Sequence, residues 1–316
     1  MSATGGALVV FMGDSLVLIA RLIADNDDWE TRLNQMRATL EQSLVGSTVD
    51  RALQSVERLP LSEPVLELQF DLDEPEAVHG FIEVHFGPCD TLLASAPITV
   101  PQLFVSDMDS TMIGQECIDE LADYAGIKDR IAEITERAMQ GELDFQSALT
   151  ERVALLGGLD EGAIAQCLAE RITPTPGAKV LSETLKAHGC RNVLVTGGFH
   201  HFADPVAEML GFDRVVGNRL AVEGGKLTGT LDGPISDAST KLAVLQEEAA
   251  LLGEGAGVLA SGDGANDIPM IEAATYGFAY RAKPKARSAA NGRIDRGDLT
   301  AILSLLGISR KDWAGL

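Results

Sequence analysis

Basic residues are scarce in this chain: 25 Lys and Arg face 47 Asp and Glu among 316 residues, a formal charge of −22. That shortage argues against a nucleic-acid binder or a protein held on anionic lipid, because both need a basic footprint to replace counterions. Aromatics make up only 5%, too few to suggest base-stacking platforms. The four cysteines, Cys89, Cys117, Cys167 and Cys190, include no C-x-x-C pair, and no basic stretch precedes an apolar one at the N-terminus. The chain therefore reads as a reduced, cytoplasmic protein. A membrane span is not expected: the most hydrophobic window, Ala7 to Ala24, is broken by Gly13-Asp14 and Arg21, and reads as a strand followed by a helix. Neither a repeat nor a G-x-x-x-x-G-K-[ST] loop occurs, which removes the P-loop kinases. What is present is an ordinary globular composition, 46% hydrophobic and 23% charged, long enough for two or three domains.

Up to about Val100 there is no lysine. This stretch carries an apolar run at Ala7–Met12 and alternating ones at Val65–Phe70 and Phe81–Phe86, with helical stretches between, which predicts a small α+β domain. Pro97 and Pro101 bracket its exit and bias their neighbours toward extended backbone, so the domains are placed at 1–98 and 99–316. A short strand, Leu103–Val105, then runs into Asp107-Met108-Asp109-Ser110-Thr111. Helices follow without an intervening strand: one with Ile118, Leu121, Ala122 and Ala125 at 3.6 spacing, then Lys128–Gln140, Asp144–Leu156 with Asp144 as N-cap, and Asp160–Arg171. This all-helical insert, about 113–176, ends at Pro174 and Pro176. Beyond it helix and strand alternate: Gly177–His188, strand 192–195, His201–Leu210, strand 214–216, a hairpin of 220–222 with 226–230, Ser239–Leu252, strand 257–260 and Asp267–Ala274. Such alternation predicts an α/β fold with a doubly wound parallel sheet, the insert forming a helical cap after the first strand of that sheet.

Ligands of open α/β sheets bind outside the carboxyl ends of the strands. Three strands here end in Asp107-Met108-Asp109, Thr196-Gly197-Gly198 and Gly262-Asp263-Gly264-Ala265-Asn266-Asp267. Four carboxylates converging at one edge repel by roughly 4 kcal/mol per close pair at an effective dielectric near 20, so the site needs a cation. A hard divalent ion such as Mg²⁺ suits oxygen ligands and usually keeps a substrate phosphate among them, which makes a phosphoryl group the leading substrate. In that chemistry Asp107 is a candidate nucleophile and Asp109 a candidate acid/base. The Thr196 hydroxyl and the Gly197 and Gly198 amides could hold phosphate oxygens, while Lys241 at a helix start offsets negative charge.

With these motifs in order, the chain from about Gln102 to Leu306 resembles the haloacid dehalogenase (HAD) superfamily and, within it, the phosphoserine phosphatase family. The match rests on the Asp107–Thr111 run, Thr196-Gly197-Gly198-Phe199, Lys241, Gly262–Asp267 and Ala282-Lys283-Pro284. The resemblance implies a HAD-like Rossmannoid core and Mg²⁺-dependent hydrolysis of O-phospho-L-serine through an aspartyl-phosphate, the last step of serine biosynthesis. Asp107 would be the nucleophile and Asp109 the acid/base. Asp107, the Asp109 carbonyl and Asp263 would hold Mg²⁺, with Asp267 behind them. In the cap, Glu116 would receive the substrate ammonium and Arg152 its carboxylate, with Phe145 closing over it. Two positions depart from the family pattern: Thr196 stands where Ser is usual, and Asp237-Ala238-Ser239-Thr240 lacks a small residue just before Lys241. Relatives with an amino-acid-binding regulatory domain imply such a role for residues 1–98, and a homodimer is compatible with it, although no motif settles either.

Plainer readings stand beside these. Asp267 and Asn266 could serve only as a helix N-terminal acid and a cap, and Asn266 could equally touch the phosphate region. Glu116 and Arg152 could lie on a solvated helix face, Phe145 could be cap core, and Ser110 and Thr111 could cap the next helix or touch phosphate. His200-His201 is expected to be a helix end, Cys117 a buried small residue, and Gly253–Gly257 a helix-to-strand connection. Rival functions are a related phosphotransferase or phosphatase for another small phosphomonoester, and a catalytically inert amino-acid sensor. Charge by region fits an anionic substrate: residues 1–112 hold 18 acids and 5 bases, 113–176 hold 13 and 5, and 177–316 hold 16 and 15.

Overall fold

The computed structural model describes residues 17–24, 28–43, 53–61, 64–72, 74–139 and 142–316. The expected strand at Ala7–Met12 lies outside them. In chain order the elements are β1 (Leu18–Ala24), α1 (Trp29–Ser43), β2 (Leu53–Arg58), β3 (Val65–Phe70), α2 (Pro75–Phe86), β4 (Cys89–Ala94) and β5 (Leu103–Ser106). Four helices follow, α3 (Cys117–Tyr124), α4 (Lys128–Met139), α5 (Phe145–Leu155) and α6 (Gly162–Arg171). The remainder is α7 (Ala178–Ala187), β6 (Arg191–Phe199), α8 (His200–Leu210), β7 (Arg214–Asn218), β8 (Leu220–Glu223), β9 (Lys226–Leu231), α9 (Ala238–Leu252) and β10 (Val258–Gly262). It closes with α10 (Ile268–Ala273), β11 (Tyr276–Tyr280), α11 (Pro284–Ala289), β12 (Gly292–Ile294) and α12 (Thr300–Leu305).

Among the described residues ten strands form one sheet in the order β2-β3-β1-β4-β12-β11-β10-β5-β6-β7. From β12 to β7 all pairings are parallel, which is the α/β core expected from the alternation. The four N-terminal strands pair antiparallel among themselves and join the core through the antiparallel pair β4–β12. The regions either side of Pro97 thus share a sheet; one apolar cluster around Met36, Phe70 and Phe86 is wholly N-terminal, while the core cluster around Phe104, Phe199 and Phe278 also takes in Leu92 and Ala94 of β4. Among the described residues, no helix is long and apolar enough to cross a membrane.

Two sequence expectations fail in the N-terminal region. Leu18–Ala24 is a strand, not a helix: Leu18, Ala20, Leu22 and Ala24 are buried in strict alternation, and period two is the strand signature. Phe81–Phe86 is helical, not extended. Pro75 opens that helix, a position where a missing N–H costs nothing, and Val78, Ile82 and Phe86 are buried at four-residue spacing while Val84 is 77% exposed. Strand β4 escaped the alternation test because every one of its residues is buried. Strands β11 and β12, at the far end of the chain, were not assigned from the sequence.

Helix α2 also buries a histidine. His79 is 5% exposed, and burial, with Arg293 and Arg287 nearby, pushes its pKa from 6.5 down to about 3. As pH falls below 6.5 the unfolded chain takes up a proton at His79 that the native protein accepts only near 3, so native stability falls through that window. The slope from this one group reaches up to ~1.4 kcal/mol per pH unit. Chemical denaturation between pH 7 and 4 should show a shallower loss in His79→Gln; identical slopes would contradict this account.

Candidate active site

The site forms where β5, β6 and β10 end. Strand β5 is wholly buried, and at its exit Asp107 N–H donates to the Ser261 carbonyl at 2.9 Å, tying it to β10. The Asp107 carboxylate accepts the Met108 N–H at 2.7 Å and lies 2.7 Å from Lys241 Nζ. Lys241 is fully buried and also lies 2.6 Å from Asp267 Oδ1. The other Asp267 oxygen accepts the Asp263 and Gly264 N–H groups at 3.0 and 2.9 Å. A Cβ at Gly262 would come within 2.3 Å of the Asp267 carboxyl carbon, so glycine is what lets β10 end against this carboxylate.

Ligand atoms of Asp107, Asp263 and Asp267 lie within 4.8 Å of one another, the one such cluster among the described residues. All three residues are buried, and their oxygens form the hard donor set that Mg²⁺ prefers. Burial and the neighbouring Asp267 hold the Asp107 carboxyl well above the ordinary range, with Lys241 opposing. Asp263 is likewise raised by burial, with Lys283 opposing from 3.6 Å. Lys241 alone does not balance these carboxylates, and a divalent cation held by them would supply further positive charge.

Asp109 faces the cleft. Its Oδ1 accepts the Cys117 N–H at 2.9 Å, so Asp109 caps α3 across the intervening turn. Glu116 occupies the N-cap position without making a side-chain cap. Burial, with negative Glu116 beside it, pushes Asp109 up to about 6, the Cys117 hydrogen bond pulling the other way. A Cβ at Gly198 would approach Asp109 Oδ2 to 2.6 Å, which explains a glycine there.

Both departures from the family pattern find a structural partner. The Thr196 hydroxyl accepts the Gly198 N–H at 2.8 Å and donates to Asp109 Oδ2 at 3.5 Å. The Thr196 methyl lies 3.0 Å from where a Cβ on Gly217 would sit, so a glycine on β7 makes room for it. Thr240 completes a capping box: its hydroxyl accepts the Asp237 N–H while Asp237 accepts from Ser239 and Thr240. That box anchors the first turn of α9, which carries Lys241.

Above these groups opens a cleft of ≈ 820 Å³ whose wall includes Asp107, Asp109, Glu116, Arg152, Asp263 and Asn266. Phe145, Thr196, Gly197 and Gly198 line it as well, so of the candidates named from sequence only buried Lys241 and Asp267 stand behind the surface. Glu116 accepts a hydrogen bond from Ser110 at 2.7 Å. Arg152 Nε donates to the Ala148 carbonyl at 3.3 Å, and its guanidinium makes no ion pair among the described residues. Phe145, 39% exposed, sets its ring 3.4 Å from the position of a Cβ on Gly197 and is cleft wall, not cap core. Asp144 caps α5 through Ser147 N–H at 2.7 Å. The cap also docks on the β8–β9 hairpin, where Leu227 and Gly158 exchange backbone bonds with Leu159 and Leu227.

Cleft residues that sequence reasoning passed over include Ile118, Leu149, Ser239 and Lys283. Of these, Lys283 carried a signal as part of the Ala282-Lys283-Pro284 match, and Ser239 as part of the stretch just before Lys241. His200 pairs with Asp204 at 2.8 Å in the first turn of α8 and lies outside the carboxylate cluster. Cys117 is 1% exposed with its thiol pushed far up by burial and Asp109, an inert core residue.

Comparison with known proteins agrees with this geometry. A HAD-family hydrolase from Salmonella enterica subsp. enterica serovar Typhi superposes with a TM-score of 0.78 at 26% identity, covering 92% of this chain and 98% of that one. A substrate-bound phosphoserine phosphatase complex superposes with a TM-score of 0.59 at 37% identity over 65% of this chain and 97% of that one. A phosphoserine phosphatase of Archaeoglobus fulgidus is 45% identical over 206 residues, 65% of this chain, and the match spans only 60% of that protein's length. The family model of haloacid dehalogenase-like hydrolases matches residues 104–272. This match takes in the strand ends that carry Asp107, Thr196 and Asp263 and covers more than half of the sequence, and the chain therefore belongs to the haloacid dehalogenase-like hydrolase family.

Proposed function

We propose that this protein is a phosphoserine phosphatase, hydrolysing O-phospho-L-serine to L-serine and phosphate with Mg²⁺. The observation that carries the reading is the two-sided cleft. Carboxylates and Lys241 lie below it, and an acid and an unpaired guanidinium, Glu116 and Arg152, stand on its cap side. A phosphomonoester bearing both an ammonium and a carboxylate matches that pairing, since a guanidinium fork suits a carboxylate.

Asp107, Asp263 and Asp267 are positioned to hold Mg²⁺, Asp267 from behind, and the Asp109 carbonyl is proposed as a further ligand. When bound, the ion supplies positive charge against the phosphoryl oxygens. In the proposed reaction Asp107 attacks phosphorus in line, forming an aspartyl phosphate as the serine oxygen departs. Asp109, whose proton is retained to about 6, protonates that oxygen and then takes a proton from the water that cleaves the acyl phosphate. Lys241 keeps Asp107 oriented and balances the charge that develops. Thr196, Gly197, Gly198 and Asn266 cradle phosphate oxygens, and Phe145 with the cap restricts water. Four free, buried cysteines support a cytoplasmic setting. Residues 1–98, whose strands continue the core sheet through β4 and β12, are proposed as an α+β regulatory region, tested by adding L-serine to the assay.

The deciding measurement is Mg²⁺-dependent phosphate release across a panel of phosphomonoesters. Phosphoserine should rank first by kcat/KM, and a low rank would point to another small phosphomonoester. Arg152→Met should raise KM for phosphoserine by about tenfold or more while altering turnover of p-nitrophenyl phosphate by less than about threefold, because only the former carries a carboxylate. Equal losses on both substrates would remove Arg152 from substrate recognition.

A further inference from the structure

A second polar cavity lies outside the cleft, at the junction where β4 pairs with β12. It measures ≈ 60 Å³, room for about four waters or one tetrahedral oxyanion. The N-terminal region contributes His79 and Thr91, and the core contributes Arg287 and Arg293. His79, Thr91 and Arg293 are 5%, 4% and 8% exposed. His79 Nε2 and the Thr91 hydroxyl have no hydrogen-bond partner.

The two arginines differ. Arg287 is neutralised by Asp295 at 2.8 Å and Glu83 at 3.1 Å. Arg293 donates only its Nε, to the Arg287 carbonyl at 3.0 Å, and makes no ion pair among the described residues. Glu83 and Asp295 also line the cavity and offset part of the Arg293 charge at longer range, but a guanidinium this buried with no carboxylate bonded to it directly is costly, and two orphaned polar side chains beside it add to that cost. Water could satisfy the hydroxyl and the imidazole, but it would give the Arg293 guanidinium no directly bonded anion.

We propose that this cavity is a binding site for a small tetrahedral oxyanion, held by Arg293, Thr91 and His79 at the seam between the N-terminal strands and the catalytic core. With the cavity empty, burial and the two arginines keep the imidazole neutral down to about pH 3, and in the tautomer with Nε2 protonated it can donate to an occupant. The occupant ties α2 and β4 to β12, beside α11. Helix α11 begins directly after Lys283, whose backbone N–H donates to the Asp263 carbonyl at 2.9 Å, so the site adjoins the loop that borders the carboxylate cluster. The proposal is independent of the phosphatase reading.

Crystals of the full chain soaked in selenate test it, because selenium gives an anomalous signal and any selenate in the catalytic cleft is an internal control. A peak beside the Arg293 guanidinium is expected, lost in Arg293→Met and weakened in the near-isosteric Thr91→Val. Water alone in the cavity at 50 mM selenate overturns the proposal, whether or not either variant folds. In solution with EDTA, sulfate or phosphate at tenfold over its Kd should raise Tm by about 2 °C, with a smaller rise in Thr91→Val. Which of the two binds more tightly separates a general sulfate-type site from one tuned to inorganic phosphate. Chloride matching both, or a crystal peak without any Tm effect up to 100 mM, marks an adventitious ion only and overturns it.

Discussion

Asp107→Asn is expected to lower phosphate release by about 10⁴-fold or more while leaving the protein folded. The amide keeps the shape of the side chain and can still accept the Met108 N–H, now at 2.7 Å, so β5 and the turn after it have no reason to move. The amide oxygen, however, is a poor nucleophile, and the substitution also removes one of the three carboxylates of the cluster. Stability without metal should change by less than about 1 kcal/mol, because the lost group is a buried carboxylate whose charge Asp267 already disfavours. The check is a pair of measurements on one preparation: single-turnover phosphate release, and denaturant unfolding in EDTA. Near-normal turnover would sink the assignment of Asp107 as nucleophile, and so would a loss explained by unfolding alone.

Lys241→Met carries the largest expected effect on stability. Lys241 is 0% exposed and lies within 2.7 Å of both Asp107 and Asp267. Methionine fills much the same volume but leaves two buried carboxylates facing each other. Breaking a buried ion pair from one side typically costs about 3–5 kcal/mol, since the remaining charge stays uncompensated. In EDTA at pH 8 a loss of that size should appear, together with a fall in Tm of roughly 5–10 °C. Two conditions should return part of it. Mg²⁺ supplies positive charge to the same carboxylates, so the variant's Tm should depend on the metal more steeply than the wild type's. Acid acts through linkage: Asp107 has a native pKa raised above its unfolded value, and the loss of its cation raises it further. The native state then binds protons more readily than the unfolded chain, and the variant recovers stability as pH falls toward 5. A variant equal to wild type in EDTA at pH 8 would show that the lysine charge is not what holds this cluster together.

Cap and core meet at a polar contact that these experiments do not touch. Gln146 of α5 donates to Asp237 Oδ2 at 3.2 Å, while Asp237 Oδ1 caps α9 through Ser239 and Thr240. The first turn of the helix that carries Lys241 is therefore bonded to the cap helix that carries Phe145 and Arg152. Any movement of the cap has to release or carry this contact, which links opening of the cleft to the neighbourhood of the buried lysine.

The catalytic core was legible because its signals are local. A short apolar strand, an abrupt acidic or glycine-rich end and a following helix recur at Asp107, Thr196 and Asp263, and strand direction alone brings such ends to one edge. The helical cap was legible for the same reason, down to Asp144 as the N-cap of α5. In the N-terminal region the local signals misled. Leu18–Ala24 and Phe81–Phe86 are short apolar runs whose period is decided by what covers them, and β4 has no period because both its faces are buried.

Sequence by itself determined the chemistry available: which carboxylates, which lysine and which hydroxyl occur at strand ends, and in what order. Tertiary structure alone decided how they share charge. It placed Lys241 between Asp107 and Asp267, made Asp109 the cap of α3, and left Arg152 unpaired over the cleft. It also ran one sheet from β2 to β7, joining β4 to β12 and enclosing Arg293 at the seam. These outcomes depend on distances between residues far apart in the chain, and electrostatic energy depends on distance and burial, which residue identity and spacing do not specify.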